Sequence, residues 1–259
     1  MKLALVQMEV VMSKKDRNLH RAIAGLVEAA DAGAEVVVLP ECCDLGWMSS
    51  RARLEAEAFD GVFVSTIAEV ASAKGVYVVV GFTERDFEDI YNAAVLVTPG
   101  GEVLLHHRKI NLLDMARPIY KVGTILECAD TEFGRIGLTI CADSWAPEPT
   151  KALSMMGAQV VLSPSAWACE RGDEMNNLDS IRQRYRARAT ESGVFLAGCD
   201  GVGDVSEGPW KGRILEGASL VYGPGGELVA EAEICAEQIL LVDIDLAEAG
   251  GVERSRKIT

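Results

Sequence analysis

The 259-residue chain predicts an α/β fold, a four-layer αββα sandwich built from two similar β-α-β-α-β-hairpin halves, read as a single domain over 1–259. Three observations carry that expectation. Strand and helix signals alternate from end to end, which argues against separate α and β domains. Segments of the first half return in the second at a nearly constant offset. Each half also carries a Pro-Gly-Gly turn of the kind that joins antiparallel strands, which makes a doubly wound open sheet the weaker reading.

The elements can be justified in order. Lys2–Met8 reads as a buried strand, Asp16–Ala32 as an amphipathic helix, Glu35–Leu39 as a strand, Val62–Lys74 as a helix and Val76–Gly81 as a strand. Ala93–Val97 and Glu102–His106 then form a hairpin, with Thr98-Pro99-Gly100-Gly101 supplying the turn angles. Gly33-Ala34-Glu35-Val36-Val37-Val38-Leu39-Pro40 returns as Gly157-Ala158-Gln159-Val160-Val161-Leu162-Ser163-Pro164. Pro99-Gly100-Gly101-Glu102 returns as Pro224-Gly225-Gly226-Glu227, and Gly75-Val76-Tyr77 as Gly193-Val194-Phe195. Each half would carry one sheet with a helical face, and the two bare sheet faces are buried most economically against each other.

Composition narrows the function. Hydrophobic residues make up 49% and charged residues 25%, a globular balance, and 25 Lys+Arg against 39 Asp+Glu leave a net charge of −14. No basic stripe is dense enough to neutralise phosphates, so nucleic acid is not an expected partner. Apolar runs such as Val36–Leu39 and Val76–Val80 fall far short of the ~20 residues that span a bilayer, and Gln7, Glu9 and Lys14 break the N-terminus before a signal-peptide core. A soluble, cytoplasmic protein with no membrane partner is expected. The seven cysteines are odd in number and contain no C-x-x-C pair, so they read as reduced thiols, mostly small core residues. Only His20, His106 and His107 are present, without H-E-x-x-H or a Cys/His quartet, so no metal is expected. Walker A and Rossmann glycine signatures are absent.

Folding constraints act on both copies of a repeat, so chemistry is best sought where the copies disagree. Glu41 follows the strand Glu35–Leu39, while its counterpart is Ser165. Cys141 follows the strand Arg135–Ile140, where the matching strand of the first half ends at Met8. Lys109 follows the hairpin, and the offset places Ile234 at its equivalent. All three lie just past strand C-terminal ends, the edge at which α/β sheets collect ligands. They also form a chemical set. A thiol with pKa ~8.5 needs a base or a positive field to attack. Glu41 offers the base, and Lys109, with the backbone N–H of Ala142, offers the field that holds an oxyanion. Taken singly, Cys141 reads as a small buried residue, Glu41 as a loop carboxylate and Lys109 as one of several solvated cations.

The surrounding residues resemble the nitrilase superfamily of carbon–nitrogen hydrolases from Met1 to about residue 245. Val36-Val37-Val38-Leu39-Pro40-Glu41 is similar to its glutamate segment, Arg108-Lys109-Ile110-Asn111-Leu112 to its lysine segment and Gly134-Arg135-Ile136-Gly137-Leu138-Thr139-Ile140-Cys141 to its cysteine segment. Cys141-Ala142-Asp143-Ser144-Trp145-Ala146-Pro147-Glu148 reproduces the C-x-D-x-x-x-P-E pattern of the amidase and carbamoylase branches. The resemblance implies Cys141 as nucleophile, Glu41 as general base and acid, Lys109 as oxyanion stabiliser, no cofactor, an αββα sandwich and a homo-oligomer. The implied reaction releases ammonia from a small amide or N-carbamoyl compound through a cysteine thioester.

Ala142-Asp143-Ser144 stands where true nitrilases commonly place Trp-Glu-Asn, which disfavours a nitrile substrate; a catalytically silent binding protein on the same scaffold is the alternative outside enzymes. Trp145 occupies the place of a carboxylate-gripping arginine found in related branches and resembles the carbamoylputrescine amidases in this, reading either as an aromatic wall suited to a neutral or cationic substrate or as packing at the start of the next helix. The superfamily usually supplies a second glutamate between lysine and cysteine. Ile110–Leu126 has none, and Asp114 is its only acidic residue. The superfamily also continues into an arginine-containing tail toward a partner subunit, whereas Glu253–Thr259 is short. Trp167 is a further candidate for the pocket lining, or simple packing. The segment Cys169–Asn177 reads as part of a lid or as a surface loop. Arg182, Arg184, Arg186 and Arg188 on the helix Glu174–Ser192 cannot share one face and read as salt-bridge or interface residues. A Cys-His pairing through His106 or His107 lacks an orienting partner.

Overall fold

A computed structural model describes residues 1–250; the tail Glu253–Thr259, where an arm to a partner subunit is implied, lies outside the described residues. The first half runs β1 (Lys2–Gln7), α1 (Lys15–Asp31), β2 (Val36–Val38), a single turn α2 (Ala52–Glu55), α3 (Val62–Lys74), β3 (Tyr77–Asp86), β4 (Asp89–Val97) and β5 (Val103–Arg108). The second runs β6 (Cys128–Thr131), β7 (Gly134–Leu138), α4 (Pro147–Met155), β8 (Val160–Ser165), β9 (Ala168–Cys169), α5 (Glu174–Ser192) and β10 (Phe195–Asp200). It ends with β11 (Val202–Asp204), β12 (Ile214–Glu216), β13 (Leu220–Tyr222), β14 (Leu228–Glu231) and β15 (Gln238–Asp243).

Two six-stranded sheets result, in the orders β15-β1-β2-β3-β4-β5 and β6-β7-β8-β10-β13-β14. Their pairings agree place by place: antiparallel, parallel, parallel, antiparallel, antiparallel. The sequence repeat is therefore a repeat of topology. One strand departs from it, because the edge strand that β6 supplies to its own half is supplied to the first sheet by β15, from the far end of the chain.

Period-two patterning explains the layers. Val36 and Val38 of β2 join the cluster between the sheets, with Leu3, Leu5, Val79, Leu138, Val160, Leu162 and Ala197. Val37, pointing the other way, joins Leu26 of α1 and Phe63 and Ile67 of α3. On the opposite side Leu153 of α4 and Leu178, Ile181 and Tyr185 of α5 cover Val161 and Leu196. A strand buried on both faces reads as an unbroken apolar run, which is why β2 was so legible. The repeated Gly75 and Gly193 cap α3 and α5 in the left-handed region, at φ 69° and 63°, where glycine adds no steric strain.

Several boundaries differ from expectation. The strand expected over Val76–Gly81 continues to Asp86 and turns back through β4, an extra hairpin that its polar end conceals. That end stays paired because buried Glu84 accepts from Arg108 and from His106 across the sheet. The strand expected over Arg135–Ile140 stops at Leu138, and Cys169–Asn177 begins in a small sheet, β11-β12-β9, and then enters α5.

Candidate active site

The C-terminal ends of β2, β5, β7 and β8 meet at one edge of the sandwich, and the three singled-out side chains line one cavity there. Glu41 follows Pro40 in a loop laid flat on β3: a Cβ at Gly81 would sit 2.6 Å from the Pro40 oxygen and 2.7 Å from Glu41 Cα. Its N–H donates to Ser165 O of the other sheet at 3.2 Å. Glu41 Oε1 accepts from Lys109 Nζ at 2.6 Å and from Asn92 Nδ2 at 2.6 Å. Its second oxygen, Oε2, is buried and has no partner among the described residues. Lys109, 3% exposed, leaves β5 with its N–H donating to Asn92 O at 2.8 Å.

Cys141 opens a short turn, Cys141–Trp145, with φ 44°, a left-handed conformation that costs a non-glycine residue about 1–2 kcal/mol. Its N–H donates to Ser163 Oγ at 3.2 Å, and its carbonyl accepts from Ser144 Oγ at 2.7 Å. Buried Asp143 then ties this turn to the lysine segment. Oδ1 accepts from Ile110 N at 3.1 Å and Asn111 N at 2.7 Å, while Oδ2 accepts from Ile140 N and His107 Nε2, both at 2.9 Å. The Cys141 turn and the lysine segment are thereby fixed to each other through one carboxylate.

The electrostatics are consistent with a resting acid–base site. Burial pushes the Cys141 thiol well above its ordinary pKa, and the Glu41 charge adds to this more than Lys109 relieves it. Burial alone would lower the Lys109 ammonium, yet the charges of Cys141, Glu41 and Asp143 outweigh it and raise its pKa. Burial raises Asp143 too, but the His107 and backbone donors prevail and hold it below the usual carboxylate range. Burial thus favours the thiol at Cys141 and the neighbouring charges favour the ammonium at Lys109, beside a Glu41 side chain with one oxygen engaged and one without a partner among the described residues.

Ala142, Trp145 and Trp167 line the same cavity, as do Trp47, Leu113, Ala166 and Trp210. Every tryptophan of the chain is therefore at this site. Trp47 and Trp210 pack with ring centroids 4.2 Å apart, and Trp145 and Trp167 stack at 6.0 Å. Sequence reasoning missed Trp47 and Trp210, which sit in loops with no periodicity. It also gave no role to Asn92, Asp143 or His107. Asp143 was visible in the C-x-D-x-x-x-P-E pattern, and that was the available signal.

Asp114 does not supply the missing acidic helper. Its side chain is fully exposed and pairs with Arg117, three residues along its own turn. Besides Lys109, the side chain that donates to the Glu41 carboxylate among the described residues is Asn92. His107 is committed to Asp143 and His106 to Glu84, so neither is free to pair with Cys141.

The model of the carbon-nitrogen hydrolase family matches residues 2–254. An omega-amidase of Danio rerio is 30% identical over 268 residues, covering 100% of this chain and 93% of that protein. A nitrilase of Pyrococcus abyssi is 29% identical, covering 95% and 90%. Among solved structures, an amidase of Nesterenkonia from the nitrilase superfamily superposes with a TM-score of 0.83 at 25% identity, covering 96% of this chain and 92% of that one. A Saccharomyces cerevisiae member of branch 10 of the superfamily shares the fold, with a TM-score of 0.85. Its fold, its full-length match and its relatives agree: the chain belongs to the carbon-nitrogen hydrolases.

Proposed function

We propose that the protein is an amidase of small amides or N-carbamoyl compounds, working through Cys141, Glu41 and Lys109. One observation supports this reading above the others: Glu41 keeps Oε1 on Lys109 and Asn92 while Oε2, buried and unpartnered, is free to take a proton. Glu41 Oε2 removes the Cys141 proton as sulfur adds to the carbonyl carbon. Lys109 Nζ and the Ala142 N–H hold the oxyanion. Protonated Glu41 gives its proton to the departing nitrogen, ammonia or an amine leaves, and a thioester remains on Cys141. Glu41 then deprotonates a water that cleaves the thioester and frees the acid.

The cavity is narrow, with an accessible volume of only about 10 Å³ between walls that include four indole rings, which favours slender substrates. The seven cysteines form no disulfide, which supports a reducing, cytoplasmic setting. No helix among the described residues is long and apolar enough to cross a membrane. Met155 and Met156 at the end of α4 are exposed next to each other, an apolar spot that would suit a contact in a homo-oligomer. Ammonia release from a panel of small amides, ureido acids and nitriles tests the function. The expected result is turnover of amides over matched nitriles and an acyl adduct on Cys141 by intact mass, with Cys141→Ala and Lys109→Met folded and at least ~10³-fold slower. Unchanged turnover in either variant overturns the proposal.

A further inference from the structure

The two halves of the repeat part at one more place. Leu39, Ile67 and Val80 of the first half are fully buried members of a single apolar cluster. The offsets of the matched segments put Ser163, Tyr185 and Gly198 at the same three places in the second half. A core that needs only to be filled gains nothing from this exchange, because a buried hydroxyl costs free energy unless it finds a partner. These hydroxyls do find partners, and the partners lead to the nucleophile.

Tyr185 of α5 and Ser163 of β8 are buried, and Gly198 of β10 is the register partner of Ser163. A Cβ at Gly198 would sit 2.6 to 2.7 Å from Cε1, Cζ and Oη of Tyr185, so the missing side chain is what seats the phenol against the sheet. From that seat the Tyr185 hydroxyl donates to Ser163 Oγ at 3.3 Å and lies 2.9 Å from Ser165 Oγ, which donates to Ser163 O at 3.1 Å. Ser163 Oγ accepts in turn from the Cys141 N–H at 3.2 Å. At φ 44° Cys141 occupies a region that a non-glycine residue keeps only when its surroundings over-determine it, and a hydroxyl locked onto its N–H is such a constraint. Burial, and after it the charge of Cys141, raise the Tyr185 pKa, so the phenol stays a neutral donor within electrical reach of the sulfur.

We propose that Tyr185 is a positioning residue for the nucleophile: its hydroxyl fixes Ser163 Oγ, Ser163 Oγ fixes the Cys141 N–H, and the strained turn thereby keeps the sulfur in the cavity it shares with Glu41 and Lys109. The inference rests on the amidase reading and refines it. Neither hydroxyl touches the reacting atoms. Their work is to hold one backbone N–H still, so the two should act as a unit, and removing either should undo what the other does.

Tyr185→Phe, Ser163→Ala and the double variant test it, by steady-state kinetics on an amide that the unmodified protein hydrolyses and by NMR-detected hydrogen exchange at the Cys141 amide. Tyr185→Phe removes one oxygen and keeps the ring. It is expected to lower kcat by ~10- to 10²-fold with KM held within about twofold, since the loss is one of alignment and not of substrate binding. Ser163→Ala should do the same, and the double variant should fall no further than the worse single one. The Cys141 amide should exchange at least ~10-fold faster in Tyr185→Phe, with the Ala189 amide of α5 unchanged. A kcat within about twofold of the unmodified protein in Tyr185→Phe, or losses that multiply in the double variant, overturn the inference while leaving the amidase reading intact. Equal acceleration of exchange at Cys141 and Ala189 assigns the hydroxyl to the packing of α5 and overturns it as well. Should the unmodified protein hydrolyse no amide or ureido compound, the amidase reading falls on that result alone, and the exchange rate at Cys141 still decides whether Tyr185 holds its backbone.

Discussion

A buried thiol next to a buried carboxylate is a poor nucleophile until the carboxylate accepts its proton, and that coupling leaves a measurable trace. Glu41 raises the Cys141 pKa and Lys109 lowers it. In Glu41→Gln the raising charge is gone, so the midpoint of iodoacetamide alkylation of Cys141 against pH should move down; in Lys109→Met it should move up. A midpoint that stays put in both would break the link between these groups. Asp143 makes the other testable contribution. Asp143→Ala orphans four donors in a dry site and should cost on the order of 3–5 kcal/mol, read as a lowered Tm. Because the folded carboxyl titrates below its unfolded value, this advantage is fully present above ~pH 3.9 and fades as pH falls through the folded pKa. Glu41, Lys109 and Cys141, which the structure brings to one cavity, could be singled out in the sequence because the two halves disagree at those places. Asn92 and His107 could not, since what defines them is a partner 51 and 36 residues away in the chain, and Asp143 was visible only as a letter of the C-x-D-x-x-x-P-E pattern, without its partners.

At the level of strands and loops, precision at the carboxylate comes from a glycine. Gly81 of β3 leaves no room for a methyl group against Pro40 and Glu41, so Gly81→Ala must push the Glu41 loop outward. A displacement approaching 1 Å should reduce kcat by up to ~10²-fold. Gly75→Ala is the control: its Cβ meets open space, but φ 69° makes it cost about 1 kcal/mol of stability with kcat retained. Equal kcat losses in the two variants would refute this account of Gly81. Helices α3 and α5 were readable to the residue, because an amphipathic run ending at a left-handed glycine is a local signal. The β3–β4 hairpin was hidden because its polar end is stabilised by Glu84, Arg108 and His106 meeting across the sheet.

For the molecule as a whole, Glu41 and Lys109 come from one sheet and Cys141 from the other, so the site exists only while the sandwich is closed. The edge strand β15 pairs with all six residues of β1 and thereby binds the chain's end to its beginning. A chain ending at residue 237 should lose cooperative unfolding and all turnover and should aggregate through the exposed edge of β1. Retained activity would show the exchange of edge strands to be dispensable. That exchange is what the repeat did not announce, since β15 lies outside both copies of the matched segments. The clustering of the indoles has a different use. With all four tryptophans around one cavity, ultraviolet emission excited at the red edge of protein absorption reports on that cavity alone. Occupancy by a slow substrate can then be followed by intrinsic fluorescence, with no label attached and no other part of the chain contributing to the signal.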